Sequence, residues 1–166
     1  MTKLGDFNHK EFKAWAKQID GLTQSGVDAA FQSAANEVGA QLWNTVVRRT
    51  PVGVPPAGIS EDTFARYWSG YSGGTLRRSW TVSPAAKSGN AWLLEVTNTM
   101  GYATYVEYGH RQEAGRFIPA LGKRAKATWV PGRHMLQLSI QAIEPAAGPI
   151  LEKHVGRLLE NLKQGG

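Results

Sequence analysis

A carboxylate and two imidazoles, Glu107, His110 and His134, are the residues of this sequence that best match a metal centre, because that donor set suits zinc or iron. Their spacing gives the idea little help. Glu107 and His110 stand three apart at an expected strand end and not on a helix, and His134 is remote. Without a metal, Glu107 is expected to pair with an arginine such as Arg78 or Arg111, and the histidines are ordinary polar residues. Nucleophilic catalysis lacks its parts: the chain has no cysteine, no GxSxG turn, and no serine set in a recognisable motif with a histidine and an acid. The glycine-rich YSGGTL at 71–76 lacks the GxxxxGK[ST] pattern of a phosphate cradle, and the 13 acids are scattered where a nuclease would cluster them. The expectation is therefore a protein that is no enzyme, with no catalytic residue, no metal and no cofactor.

Basic charge is the chemistry that does concentrate. The net charge is +6, and from His110 to His134 the cations Arg111, Arg116, Lys123, Arg124, Lys126 and Arg133 face one acid, Glu113. Such a loop can contact phosphate or dock on an acidic protein surface. Docking on protein is the preferred reading, because the loop lacks interleaved aromatic side chains that would stack on bases.

At 166 residues, with 42% hydrophobic and 19% charged residues, the chain reads as one soluble domain, residues 1–166, large enough to bury a core without disulfides. Its start, MTKLGDFNHKEF, has no apolar run, so no signal peptide is expected. No window approaches the apolar length of a membrane span, and the cytoplasm of the producing cell is the simplest expected location.

The elements that must position these residues follow from periodicity. Asn8 to Asp20 reads as a short helix. Val27, Ala30, Phe31, Ala34, Val38, Leu42 and Val46 then follow the three-and-four spacing of an amphipathic helix, with Ser25 as its cap, Arg48 and Arg49 at its negative end and Pro51 closing it. Residues 50–74 carry three prolines and five glycines, yet Ser60 before Glu61 and Asp62 is a helix start, and Phe64, Tyr67, Trp68 and Tyr71 form one aromatic face. That face either covers the domain's own core or marks a subunit contact. Alternation over 75–82 and 91–97 around the turn KSGN predicts an antiparallel hairpin, with 103–108 as a third strand. After Gly132 the helical period returns, with a break or kink expected near Glu144 to Pro149 because each proline lacks a donor.

Thr50-Pro51-Val52, then Gly74-Thr75-Leu76-Arg77-Arg78-Ser79, then Asn98 with Tyr102-Ala103-Thr104-Tyr105-Val106-Glu107-Tyr108-Gly109, together resemble the signature of the tail-completion or head–tail joining family of tailed bacteriophages. There a TPVDTGxLRxS segment follows a long first helix, a YAxYVExGT segment follows a hairpin, and a C-terminal helix closes the domain. The resemblance spans roughly 27–143, and Pro51, Leu76, Arg77, Arg78, Ser79, Tyr102, Tyr105, Glu107 and Gly109 are its fold-motif positions. Here an insertion at about 53–73 opens the first motif, and His110 stands where the family has threonine.

The expected architecture is α+β: a small antiparallel β-sheet packed against a long N-terminal helix, with a C-terminal helical segment. The resemblance implies a structural virion protein of the phage neck, made in the host bacterial cytoplasm, that completes the tail and joins it to the head connector, or its equivalent in a phage-tail-like particle. It implies assembly with itself as a ring, a hexamer by expectation, and contact with neighbouring neck, connector or tail-tube proteins, with genome DNA passing nearby and no membrane involved. The insertion residues Phe64, Tyr67, Trp68 and Tyr71 and the basic arm at about 109–132, continued to Arg133, are the expected assembly contacts. The alternatives are a tail terminator or other tube-capping ring, a basic DNA-binding module, and a metal-dependent hydrolase.

Overall fold

The computed structural model describes residues 24–164; the helix expected over Asn8 to Asp20 lies outside the described residues. In chain order the elements are helix α1 (Gln24–Arg49), helix α2 (Glu61–Tyr67), the single turn α3 (Thr75–Arg78), strands β1 (Trp80–Val82), β2 (Ala86–Ser88), β3 (Ala91–Leu93) and β4 (Val96–Asn98), helix α4 (Ala103–Tyr108), strands β5 (Gly109–Arg111) and β6 (Phe117–Ile118), a 3₁₀ turn (Pro119–Leu121), strands β7 (Lys123–Arg124) and β8 (Trp129–Pro131), and helix α5 (Met135–Gln164). This is the expected α+β mixture of a long helix, small antiparallel sheets and a C-terminal helix. Ser25 lies inside α1 and is not its cap.

By internal contacts the chain divides into two compact units. Of the described residues, one contains 24–38, Pro84–Leu94 and 145–164; the other contains Gly39–Ser83 and Glu95–Glu144. In the first, β2 pairs with β3 across the tight turn at Gly89 and Asn90. Polar bonds hold that hairpin to α1: Gln32 Nε2 donates to the Ala85 carbonyl at 3.0 Å, the Ala85 amide donates to Asn36 Oδ1 at 2.8 Å, and Lys87 meets Asp28 at 2.7 Å. Glu37 of α1 receives Lys153 and His154 of α5 in the same unit.

The second unit holds the larger core. Val46, Leu76, Trp80 and Met135 are buried together, with Trp43, Val47, Val96, Met100, Ala103, Val106 and Leu136 packed around them. β1 and β4 pair antiparallel with Trp80 opposite Asn98, β5 pairs with β8, and β6 with β7; each ladder has two strands.

Three local expectations are corrected. No sheet of three or four strands forms among the described residues, because 103–108 is a helix: Ala103 and Val106, three apart, both pack on the core, and Glu107 beside them is buried. Residues 75–78 are also helical, since Leu76 and Trp80, four apart, both point into the core from one helical turn and the strand that follows it. Finally, of the break or kink expected near Glu144 to Pro149 the break does not occur, as α5 is one helix through Pro145 and Pro149. The two prolines stand four apart, so their missing donors fall on one side of the helix, while Ile143, Ala146, Ala147 and Ile150 keep the apolar side covered.

Candidate assembly surfaces

The residues that carry the sequence signature sit in the second unit, and several of them hold backbone ends. Thr50 closes α1 and is fully buried; its hydroxyl donates to the Val46 carbonyl at 2.6 Å and accepts from Trp80 Nε1 at 2.7 Å. The Thr50 carbonyl, one of the acceptors a helix end leaves unsatisfied, receives Arg77 Nε at 2.9 Å and Nη2 at 2.6 Å. Asn98 Nδ2 donates to the Leu76 carbonyl at 2.8 Å, and Ser79 Oγ to the Thr75 carbonyl at 2.8 Å.

Glu107 does the matching job at the other long helix. It is 6% exposed, and its carboxylate accepts the Leu136 amide at 3.0 Å and the Gln137 amide at 3.1 Å, in the first turn of α5. A negative group there satisfies two orphan donors and faces the positive end of the helix dipole. The expected pairing of Glu107 with Arg78 or Arg111 is thus corrected: its carboxylate is turned onto the α5 amides, and no ion pair of the described residues includes it. Gly109 follows with φ +84, where a Cβ would run into the Val130 carbonyl, and Gly132 lies so close to the Glu107 carbonyl that it too must lack one. Those two glycines let β5 and β8 meet at the root of the basic arm.

The arm itself is an ordered antiparallel ribbon. Beyond the β5–β8 ladder, the Gln112 amide donates to the Thr128 carbonyl at 2.9 Å and the Ala125 amide to the Arg116 carbonyl at 2.8 Å, and the β6–β7 ladder leads to the 3₁₀ turn at the tip. Buried Ala125 pins the ribbon. Arg111, Arg116, Lys123, Arg124, Lys126 and Arg133 are all exposed. Among the described residues the ion pairs are Lys87 with Asp28 and Glu37 with Lys153 and His154, so none of these six arginines and lysines meets a carboxylate. An open groove of about 620 Å³ lies along the ribbon, floored by Ile118, Leu121 and Val130 and edged by Lys123, Arg124 and Lys126.

The insertion comes to the same place. Ser60 caps α2 by accepting the Thr63 amide at 3.3 Å, as its sequence predicts. No residue of α2 is buried; Phe64 is 46%, Tyr67 43% and, just beyond, Tyr71 47% exposed. Trp68 is the anchor: its Nε1 donates to the Ala120 carbonyl at 2.7 Å, in the arm's 3₁₀ turn, and its ring meets Tyr71 edge-on at 5.1 Å. The insertion and the arm, which look like two separate devices in sequence, are therefore one composite surface. Neither segment shows this by itself, since the bond joins an indole to a backbone carbonyl 52 residues away.

The third candidate group does not come together. Glu107 is turned onto the α5 amides, while His110 lies in β5 with its ring edge-on to Tyr105 at 5.8 Å and its Nδ1 buried without a hydrogen-bond partner. Among the described residues no cluster of three or more histidines and carboxylates could hold a metal ion, and no helix is long and apolar enough to cross a membrane.

The second unit thus combines signature residues that lock helix ends with an exposed ribbon and helix as its distinctive surface. The profile of the family described as "Bacteriophage HK97-gp10, putative tail-component" matches residues 13–109, more than half of the chain, and the chain belongs to that family of phage tail components. No curated protein and no solved structure matches it.

Proposed function

We propose that this protein is a structural subunit of the phage neck, which completes the tail and joins it to the head connector. It acts as a ring, a hexamer in our reading, built by the arm and the insertion. The supporting observation is the composite surface: exposed Phe64, Tyr67 and Tyr71 tied through Trp68 to a ribbon whose cations meet no carboxylate among the described residues. Exposed aromatic groups beside unpaired charges are the composition of a protein interface. A chain that uses two different patches on its neighbours closes into a ring when the rotation closes. The test is joint replacement of Arg116, Lys123, Arg124 and Lys126 by alanine in the particle: heads and tails are expected to accumulate unjoined, and normal particles would refute the role of the arm.

The same unpaired cations favour a second reading, a DNA-binding module. It requires binding to random duplex that falls steeply with salt, with a slope near −0.9 per phosphate contacted. The neck reading expects little such binding, because a genome passing through a ring need not be held by it.

A further inference from the structure

Resting on the ring reading, we infer that the first turn of α2 in one copy docks in the basic groove of the next copy's arm, with Glu61 and Asp62 on the cationic edge and Phe64 on the apolar floor. The groove is a paired feature: Ile118, Leu121 and Val130 form an apolar strip, and Lys123, Arg124 and Lys126 stand beside it without carboxylate partners among the described residues. Its occupant should present adjacent acids next to an apolar group. Within this chain one place has that chemistry. Glu61 and Asp62 are the only two consecutive acids in the sequence. Both are exposed and neither takes part in an ion pair among the described residues, and half-exposed Phe64 follows within one turn. The other acids fit worse, because Asp28 and Glu37 are already paired, Glu107 is buried on α5, and the rest stand singly along the sequence.

The chain cannot satisfy this match by itself in the seating observed. Trp68 holds α2 on the arm's own 3₁₀ turn through Ala120, and in that position neither carboxylate reaches a cation of its own arm. Two complementary patches displayed together on one subunit can both be used only between copies. Such a head-to-tail contact is the kind that propagates around a ring. Burying Phe64 on the floor would add an apolar core to a charged rim, the usual anatomy of a specific interface.

The test uses the full-length chain and reads assembly by light scattering and native mass. Glu61→Lys with Asp62→Lys, and separately Lys123→Glu with Arg124→Glu and Lys126→Glu, are each expected to raise the concentration needed for assembly at least about tenfold, since like charges now face each other. All five positions are exposed, and unchanged thermal melts confirm folding. An equimolar mixture of the two variants is then expected to assemble, because normal acids meet the normal groove at one contact and reversed charges attract at the next. A mixture that fails to assemble overturns the inference, as does wild-type assembly by either variant alone. If the wild-type chain assembles but these variants do so equally well, the ring stands and only this contact falls. A wild-type chain that stays monomeric removes both.

Discussion

Replacing Glu107 by glutamine isolates the carboxylate's task at the start of α5. The two amides it accepts lie at 3.0 and 3.1 Å, and the side chain is 6% exposed, so water cannot simply take its place. A hydrogen bond to a charged acceptor contributes about 1.5–3 kcal/mol. Glutamine keeps the shape but offers one oxygen, so it loses one of the two bonds, sets an NH₂ against the second amide and removes the charge at the positive helix end. The expected loss is about 2–4 kcal/mol for the unit that contains Glu107. Urea unfolding followed by tryptophan fluorescence reports on that unit, because Trp43 and Trp80 sit in its core. Amide exchange at Leu136 and Gln137 should accelerate in parallel. Double-mutant cycles with Arg78→Ala and with Arg111→Ala separate the reasoning from the simpler idea of an ion pair: the losses should add, as no ion pair joins either arginine to Glu107. A loss under about 0.5 kcal/mol, typical of an uninvolved surface site, would refute the capping account.

Thr50→Val removes the acceptor for Trp80 Nε1 and leaves that indole donor buried, with an expected loss of about 1–3 kcal/mol in the same urea assay. Gly109→Ala forces a Cβ toward the Val130 carbonyl at φ +84, and the arm's root should open, read as faster exchange of the His110 and Gln112 amides, which face β8 and its continuation. The Glu37 carboxyl is held below the usual carboxylate range by its hydrogen bond from Lys153 first and then by His154, and Asp28 is lowered chiefly by Lys87. A depressed folded-state value means the stabilisation is complete above the unfolded-state value and is lost as pH falls through the folded one. Thermal stability should therefore decline as pH falls through and below the ordinary carboxylate range, and Glu37→Gln should flatten part of that decline. Trp68→Phe deletes the indole donor to Ala120 but keeps the ring, and is expected to loosen the insertion from the arm, raising proteolytic nicking within 53–73 while the core melt stays unchanged.

How far the sequence discloses this molecule depends on how long each signal is. α1 is readable from seven apolar positions at helical spacing, and α2 from the Ser60 cap, because each is a local rule with a local outcome. The segment 103–108 is not readable in the same way. Six residues sample too little of either period, and the tyrosines and valine that suggest a strand sit equally well on a short helix when Ala103 and Val106 reach the core. Leu76 and Trp80 mislead for the same reason, since a spacing of four satisfies both patterns. The roles of Arg77 and Glu107 depend on long-range partners, a carbonyl 27 residues away and amides 29 and 30 residues away, so composition suggests an ion pair where the fold makes two helix caps. The arm's basic charge and the insertion's aromatic face are plain in sequence. Their union through Trp68 is not, because it rests on a backbone carbonyl, which every residue possesses.

The native mass of the purified full-length chain, followed across concentration, tests the central claim most directly. The account predicts a closed species at six times the 18.1 kDa chain mass, dispersed by the charge reversals in the arm. A single-chain mass at every concentration, with salt-sensitive binding to random duplex, would contradict it and favour the DNA-binding module.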